Sequence, residues 1–292
     1  MTREHSGGAA RRRREMARFA GAFLRSRPTW FGLAVLTVLV AMAVGAPVLA
    51  PYAPLEPHPA DRLAPPSTRY LLGTDDIGRD NLSRIIYGAR VSLAVGAISI
   101  GLALTIGVSL GLASGYQGGA VDAVISRALD GLLAFPAIVL AIALMAVFGP
   151  SLYNAMLAIG IIYVPTFARI TRANVLSLRE REFVEAARAL GARDRYVVFR
   201  AILPNCVSPI VVQASLGVGY AILVEASLSF LGLGIQPPDP SWGSMLSQGR
   251  NFLHQAWWFA TFPGLAIFLT VLGSNFVGDG LREALDPRLR VL

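Results

Sequence analysis

Uncharged apolar blocks of membrane length alternate with short polar segments along the chain. Residues 30–50 form a run of 21 without a charge, flanked by Arg27 and by a proline-rich exit at Pro47, Pro51 and Pro54. Further apolar runs fall at 91–115, 132–148, 152–168, 207–224 and 256–277. A helix needs about 20 apolar residues to cross a bilayer, so the pattern predicts six transmembrane helices. Gly149-Pro150 leaves room only for a tight helical hairpin between the third and fourth. Period-2 alternation, the mark of a membrane barrel, is absent. The expected fold class is an all-α polytopic membrane protein.

The spans divide the chain into an Arg-rich tail at 1–29, a first helix at 30–50, a loop at 51–90, a core at 91–278 and a tail at 279–292. A cleavable signal peptide would also read as arginines followed by an apolar stretch. The 21-residue run exceeds a usual signal core and ends on no clean small-x-small site, which favours a retained helix. Orientation follows from arginine. With the amino terminus in the cytoplasm, 20 arginines fall inside and six outside (Arg62, Arg69, Arg79, Arg84, Arg90 and Arg250). The positive-inside bias therefore places both termini in the cytoplasm. Five of the outside arginines lie at 51–90, where Glu56, Asp61, Asp75, Asp76 and Asp80 balance them. Glycines and serines in the second and fifth spans (Gly96, Gly101, Gly107, Gly111, Ser114, Gly217 and Gly219) suit close helix packing, mostly within the chain.

Composition narrows the chemistry. All 26 basic residues are arginine, so a P-loop lysine, a Schiff base and a Ser-Lys dyad are excluded. The charge of +8 follows from span-flanking arginines rather than a nucleic-acid patch, and no nucleic-acid partner is expected. Cys206 is the single cysteine, and His5, His58 and His254 lack ligand spacing, so neither metal nor cofactor is expected on this chain.

The polar insert at 171–204 is unlike the other loops. Phe183, Ala186, Ala187 and Leu190 recur at the spacing of one helical face, and Gly191 stands where a helix ends in a left-handed residue. Asp194 is placed to cap a second helix over 195–203, with Tyr196, Phe199, Ile202 and Leu203 at helical spacing. Pro204 interrupts before the fifth span. The product is a helix–Gly–helix hairpin at the membrane face. On pattern alone it serves equally as an interfacial anchor or as a docking element.

Glu185-Ala186-Ala187-x3-Gly191 followed by Ile202-Leu203-Pro204 resembles the EAA loop of type I ABC importer permeases, with Ala201 where that family's pattern places isoleucine. The likeness runs on from Leu72. Gly73-Thr74-Asp75-Asp76-Ile77-Gly78-Arg79-Asp80, Gly88-Ala89-Arg90-Val91-Ser92-Leu93, Gly115-Tyr116-Gln117-Gly118-Gly119 and Ala134-Phe135-Pro136 are similar to the oligopeptide/dipeptide/nickel subfamily. So are Glu225-Ala226-Ser227-Leu228-Ser229-Phe230-Leu231-Gly232-Leu233-Gly234, Pro240-Ser241-Trp242-Gly243, Gly278-Asp279-Gly280-Leu281-Arg282 and Leu285-Asp286-Pro287-Arg288-Leu289. The match is to its C-type subunit. The resemblance implies a type-1 permease core over 91–278 whose cytoplasmic coupling helix docks on an ATPase. Phe183, Glu185, Ala186, Ala187, Leu190, Gly191, Ile202, Leu203 and Pro204 would form that coupling element. It implies as partners a second permease subunit in a heterodimer, two ATP-binding subunits or domains, an extracytoplasmic substrate-binding protein and membrane lipid. The cargo implied is a di- or oligopeptide, with nickel or a glutathione-type peptide as alternatives, moved across a bacterial cytoplasmic membrane.

Glu225 is the intramembrane carboxylate, expected late in the fifth span as a pathway or gate residue, an interhelical contact or a snorkelling side chain. Asp122, Arg127 and Asp130 fall in a short cytoplasmic turn, with Arg127 and Asp130 spaced as a surface pair. In the tail, Asp279, Arg282, Glu283, Asp286, Arg288 and Arg290 read as a charged cap. Trp242, Trp257 and Trp258 suit the interfacial belt. The chain shows no catalytic constellation of an intramembrane protease. Nor does it show the internal repeat typical of a secondary transporter.

Overall fold

The computed structural model describes residues 21–285 apart from Ala22 and Arg25. The tail before residue 21, with His5, and the expected cap residues Asp286, Arg288 and Arg290 lie outside the described residues. Those described form helices α1 (Arg27–Leu49), α2 (Asn81–Gln117), α3 (Gly119–Leu133), α4 (Ala137–Phe148) and α5 (Leu152–Leu178). The chain continues through α6 (Glu182–Ala189), α7 (Asp194–Phe230), α8 (Trp242–Gly249) and α9 (Trp257–Leu285). Among the described residues, five helices are long and apolar enough to cross a membrane, and the bent pair α3–α4 makes a sixth when counted as one broken span.

The helices outrun the apolar blocks. α2 begins ten residues before the expected start, because Asp80 caps it: its Oδ2 accepts from the Ser83 backbone N–H at 2.8 Å and the Ser83 hydroxyl at 2.6 Å. The third span is a correction. The block at 132–148 is not one helix but the end of α3 and the 12-residue α4, bent by 91° at Ala134-Phe135-Pro136. Pro136 cannot sit inside a helix without losing a bond, and here it caps α4 instead. What read as a short turn with Asp122, Arg127 and Asp130 is therefore a 15-residue helix. Gly149, with φ of 85°, and Ser151, whose hydroxyl accepts from the Asn154 N–H, make the expected hairpin between α4 and α5.

Close approach organises the bundle. The α2–α5 interface is the most extensive, and Gly107, Gly111 and Gly115 of α2 face it at four-residue spacing. A methyl on Gly107 would lie 2.6 Å from Phe167 Cβ and 2.7 Å from the Val164 carbonyl. α9 packs between α1 and α7, with Gly32 of α1 against the Gly273 carbonyl. One apolar core joins α2, α4, α5 and α7, and a second joins α1, α2, α8 and α9. Helix association in lipid depends on this fit rather than on water exclusion.

The loop at 51–90 is ordered around a buried carboxylate. Asp75 Oδ1 accepts from the N–H groups of Ile77 and Arg79, and Oδ2 from Arg79 Nε at 2.5 Å. Arg84 Nε stands 3.6 Å from the same Oδ2, and Arg84 Nη1 donates to the Pro54 carbonyl. Trp258 and Trp242 are corrections to the belt reading. Both are buried, donating to the carbonyls of Thr74 and Ile85 and fastening the loop and α8 to the bundle. Trp257 is 53% exposed.

Candidate docking and coupling site

The insert folds into the expected hairpin. α6 has Glu182 and Glu185 in its first turn and Arg188 in its last, which complements the helix dipole. It ends in a paired closure: Ala192 N–H donates to the Ala187 carbonyl and Gly191 N–H to that of Arg188. Gly191 takes φ of 79°, a region that costs another residue about 1–2 kcal/mol.

The hairpin divides its side chains between body and solvent. Val184, Val197 and Ile202 are fully buried and pack in the core that includes Val175 and Cys206. Phe183, Leu190, Tyr196 and Phe199 are exposed, Leu190 at 89%. The stripe through Phe183, Ala186 and Leu190 is thus turned outward, with Glu185 beside it exposed and Ala187 half-buried. Leu203 is half-buried and Pro204 exposed, so Ile202 braces the hairpin from inside while its neighbours approach the surface. Val184 and Val197, the residues that seat the hairpin, were not singled out by the sequence pattern. Each lies just off the periodic stripe, and that offset was the available signal.

Two expectations for the second arm change. Asp194 is the first residue of α7 rather than its cap, and its Oδ1 accepts from the Tyr116 hydroxyl. Pro204 does not interrupt the chain. Residues Val197–Ile202 widen into a π turn, with Leu203 N–H donating to the Val198 carbonyl five residues back, and the helix continues to Phe230. The wide turn gives the proline ring room beside the Arg200 carbonyl that it would otherwise strike.

Near the hairpin, two aspartates pair across helices. Arg172 of α5 grips Asp122 of α3 with two bonds of 2.6 Å, and the Ser114 hydroxyl of α2 donates to the same carboxylate. Asp130 pairs with Arg169 and not with Arg127, which is exposed. Ser126, Leu129, Asp130, Arg169 and Arg172 line an open cleft of about 430 Å³ between α3 and α5.

Glu225 sits at the other end of α7. Its side chain is 1% exposed, which removes the snorkelling reading, and Oε1 accepts from the Ser229 hydroxyl one turn on. α8 crosses directly over it, since a methyl on Gly243 would lie 2.7 Å from Ala226 Cα and 2.8 Å from Ser229 Cβ.

The described residues thus form a bundle of membrane-length helices that carries a helical hairpin with an exposed apolar face on a glycine elbow, and its fold is that of a type I ABC importer permease. The solved structures agree: two inward-facing crystal forms of the MetNI methionine ABC transporter superpose with TM-scores of 0.56 and 0.57, at 19% and 18% identity, over 70% of this chain and 97–98% of theirs. Residues 107–291 match the binding-protein-dependent transport system inner membrane component family, and residues 16–66 match the N-terminal TM domain of oligopeptide transport permease C. The chain belongs to that inner membrane component family. The dipeptide transport system permease protein DppC of Alkalihalophilus pseudofirmus is 51% identical over 89% of this chain and 85% of its own. DppC of Escherichia coli is 50% identical over 92% and 91%, and the glutathione transport system permease protein GsiD of Pectobacterium atrosepticum 48% over 89% and 86%.

Proposed function

We propose that this chain is one permease subunit of an ATP-driven importer of di- and oligopeptides in a bacterial cytoplasmic membrane. Its hairpin docks on a cytoplasmic ATP-binding subunit, and ATP-driven closure of the paired ATPases rocks the bundle between inward- and outward-open states. A second permease subunit completes the pathway, and an extracytoplasmic binding protein delivers cargo. Arginine placement supports setting both termini and the hairpin in the cytoplasm.

The observation that carries the reading is the division of the hairpin. Phe183 and Leu190 face outward on a helix that Val184 seats from behind, as helix-in-groove docking requires. Each anchor, once fully buried by a partner, would contribute about 1.5–3 kcal/mol. Peptide cargo is supported by the dipeptide permease relatives. A glutathione-type peptide is the second reading, supported by the GsiD relative.

Glu225 enters the mechanism as a gate residue. It is enclosed under α8 here, so a share in the pathway requires that interface to open. Glu225→Gln that leaves the concentration dependence of transport unchanged discards direct contact with cargo.

The test is uptake of tritiated dialanine by liposomes holding the assembled transporter, together with maleimide cross-linking of a Leu190→Cys variant to the ATPase. Uptake driven by ATP and a specific cross-link are expected. Uptake that follows an ion gradient without ATP, or a hairpin that never cross-links, overturns the assignment.

A further inference from the structure

The hairpin's apolar seat holds it against the body without fixing its direction, because hydrophobic contact is non-directional. Directional ties come from a residue outside the hairpin. Tyr116 lies in the last turn of α2, and its hydroxyl donates to Asp194 Oδ1 at the start of α7. The Arg188 guanidinium, on α6, stands 5.5 Å from the centre of its ring. A single aromatic side chain thus engages both arms, one on each side of the Gly191 elbow.

We propose that Tyr116 is a positioning residue that clasps the two arms of the coupling hairpin to the end of α2. The elbow itself is held by local backbone bonds alone, Ala192 N–H to the Ala187 carbonyl and Gly191 N–H to that of Arg188. Without the clasp, a push on α6 is absorbed there. With it, α6 and the root of α7 move together and drag the end of α2. The glycine face of α2 then passes the displacement to α5. Arg179, just beyond α5, donates to the Gly115 carbonyl beside Tyr116 and closes that end of the bundle. The inference rests on the docking function proposed above.

The assembled transporter in liposomes tests it, with tritiated dialanine uptake and phosphate release measured in parallel. Tyr116→Phe keeps the ring under Arg188 and removes the hydroxyl. Asp194→Ala removes the acceptor, whereas Asp194→Asn keeps one. Peptide moved per ATP hydrolysed should fall about threefold to tenfold in Tyr116→Phe and Asp194→Ala, the factor that one hydrogen bond contributes. The double variant should lose no more than either single, because both remove the same bond. Asp194→Asn should restore the ratio, which a mere loss of fold would not allow. Unchanged ratios, or additive losses in the double variant, overturn the clasp when the Leu190→Cys cross-link to the ATPase is intact. A cross-link absent from the otherwise unaltered chain defeats the docking function itself, and the clasp with it.

Discussion

Gly101 and Gly111 lie on the same helix and provide a matched pair of substitutions. Gly101 faces outward with nothing within 4 Å, so Gly101→Ala adds a methyl to open space. Alanine should favour the helix there by about 0.8–1.0 kcal/mol. At Gly111 the same methyl would lie 2.5 Å from the Ala168 carbonyl oxygen, 2.6 Å from Thr171 Cβ and 3.1 Å from the Arg172 nitrogen. Carbon atoms in contact settle about 3.5–4.0 Å apart, so α2 and α5 must part by roughly 1 Å. Two of those neighbours are backbone, and no rotamer change relieves them. Overpacking of this kind costs about 1–3 kcal/mol, partly offset by the same gain in helix propensity. The two variants should therefore differ by about 1–3 kcal/mol, or roughly fivefold to 150-fold in the unfolding equilibrium. Denaturing-detergent titration in mixed micelles, followed by circular dichroism, measures it. Equal shifts for both variants would refute the claim that the glycine face of α2 sets the α2–α5 spacing.

Three further outcomes follow from individual residues. Asp75→Ala leaves Arg79 and Arg84 buried without their shared carboxylate, and should cost about 3–5 kcal/mol, seen as early trypsin cleavage within 51–80. Gly191→Asn should keep peptide uptake while Gly191→Val loses it with the subunit still in the membrane, because only asparagine tolerates the left-handed backbone. Equal uptake by both variants would remove the backbone argument. Burial, aided by its hydrogen bond to Asp61, pushes the Tyr70 phenol above its ordinary value of about 10. A raised folded pKa means stability that is complete below the unfolded value and lost as pH rises through the folded one. Tyr70→Phe should abolish that alkaline loss in unfolding titrations run at successive pH values.

The transmembrane pattern was legible because hydrocarbon excludes charge over a whole span, a constraint that acts on each helix alone. The helix ends were less so. Asp80 reads as a cap only once Ser83 is known to be helical, and Arg169 and Arg172 end the uncharged run while the helix of α5 goes on to Leu178. The bend before α4 had a visible cause in Pro136, but 132–148 fits one span by length, and length was the stronger cue. Trp242 and Trp258 were misplaced for a related reason. Indole is common at membrane interfaces, and nothing in their neighbours tells that the carbonyls of Ile85 and Thr74, 157 and 184 residues away, receive their N–H groups. Asp122 and Arg172 are 50 residues apart, so local spacing favoured a pair between Arg127 and Asp130 that does not form. In the hairpin the periodic stripe and the glycine elbow were both readable. Which face turned outward was not, because an amphipathic helix of eight residues gives its apolar stripe and not the surface that covers it.

The polar contacts are unevenly strong at the two ends of the bundle. At the Asp75 end the ties are buried: the Asp75–Arg79 pair is at most 8% exposed, and the two indole N–H bonds lie in the core. At the hairpin end the Arg169–Asp130 pair is more than half exposed, whereas the bidentate Arg172–Asp122 pair, 35% and 21% exposed, is the stronger tie there. Removing one member of a buried pair costs about 3–5 kcal/mol, whereas an exposed pair contributes about 0–1 kcal/mol. A motion of fixed amplitude is therefore cheapest when it exchanges contacts at the hairpin end and leaves the Asp75 end intact. Two joints lie in the hairpin itself: the π turn at Val197–Ile202 and the Gly191 elbow interrupt regular helix there. On the docking proposed above, a displacement of α6 therefore meets the exposed Arg169–Asp130 pair and the hairpin's own joints before the buried cluster around Asp75.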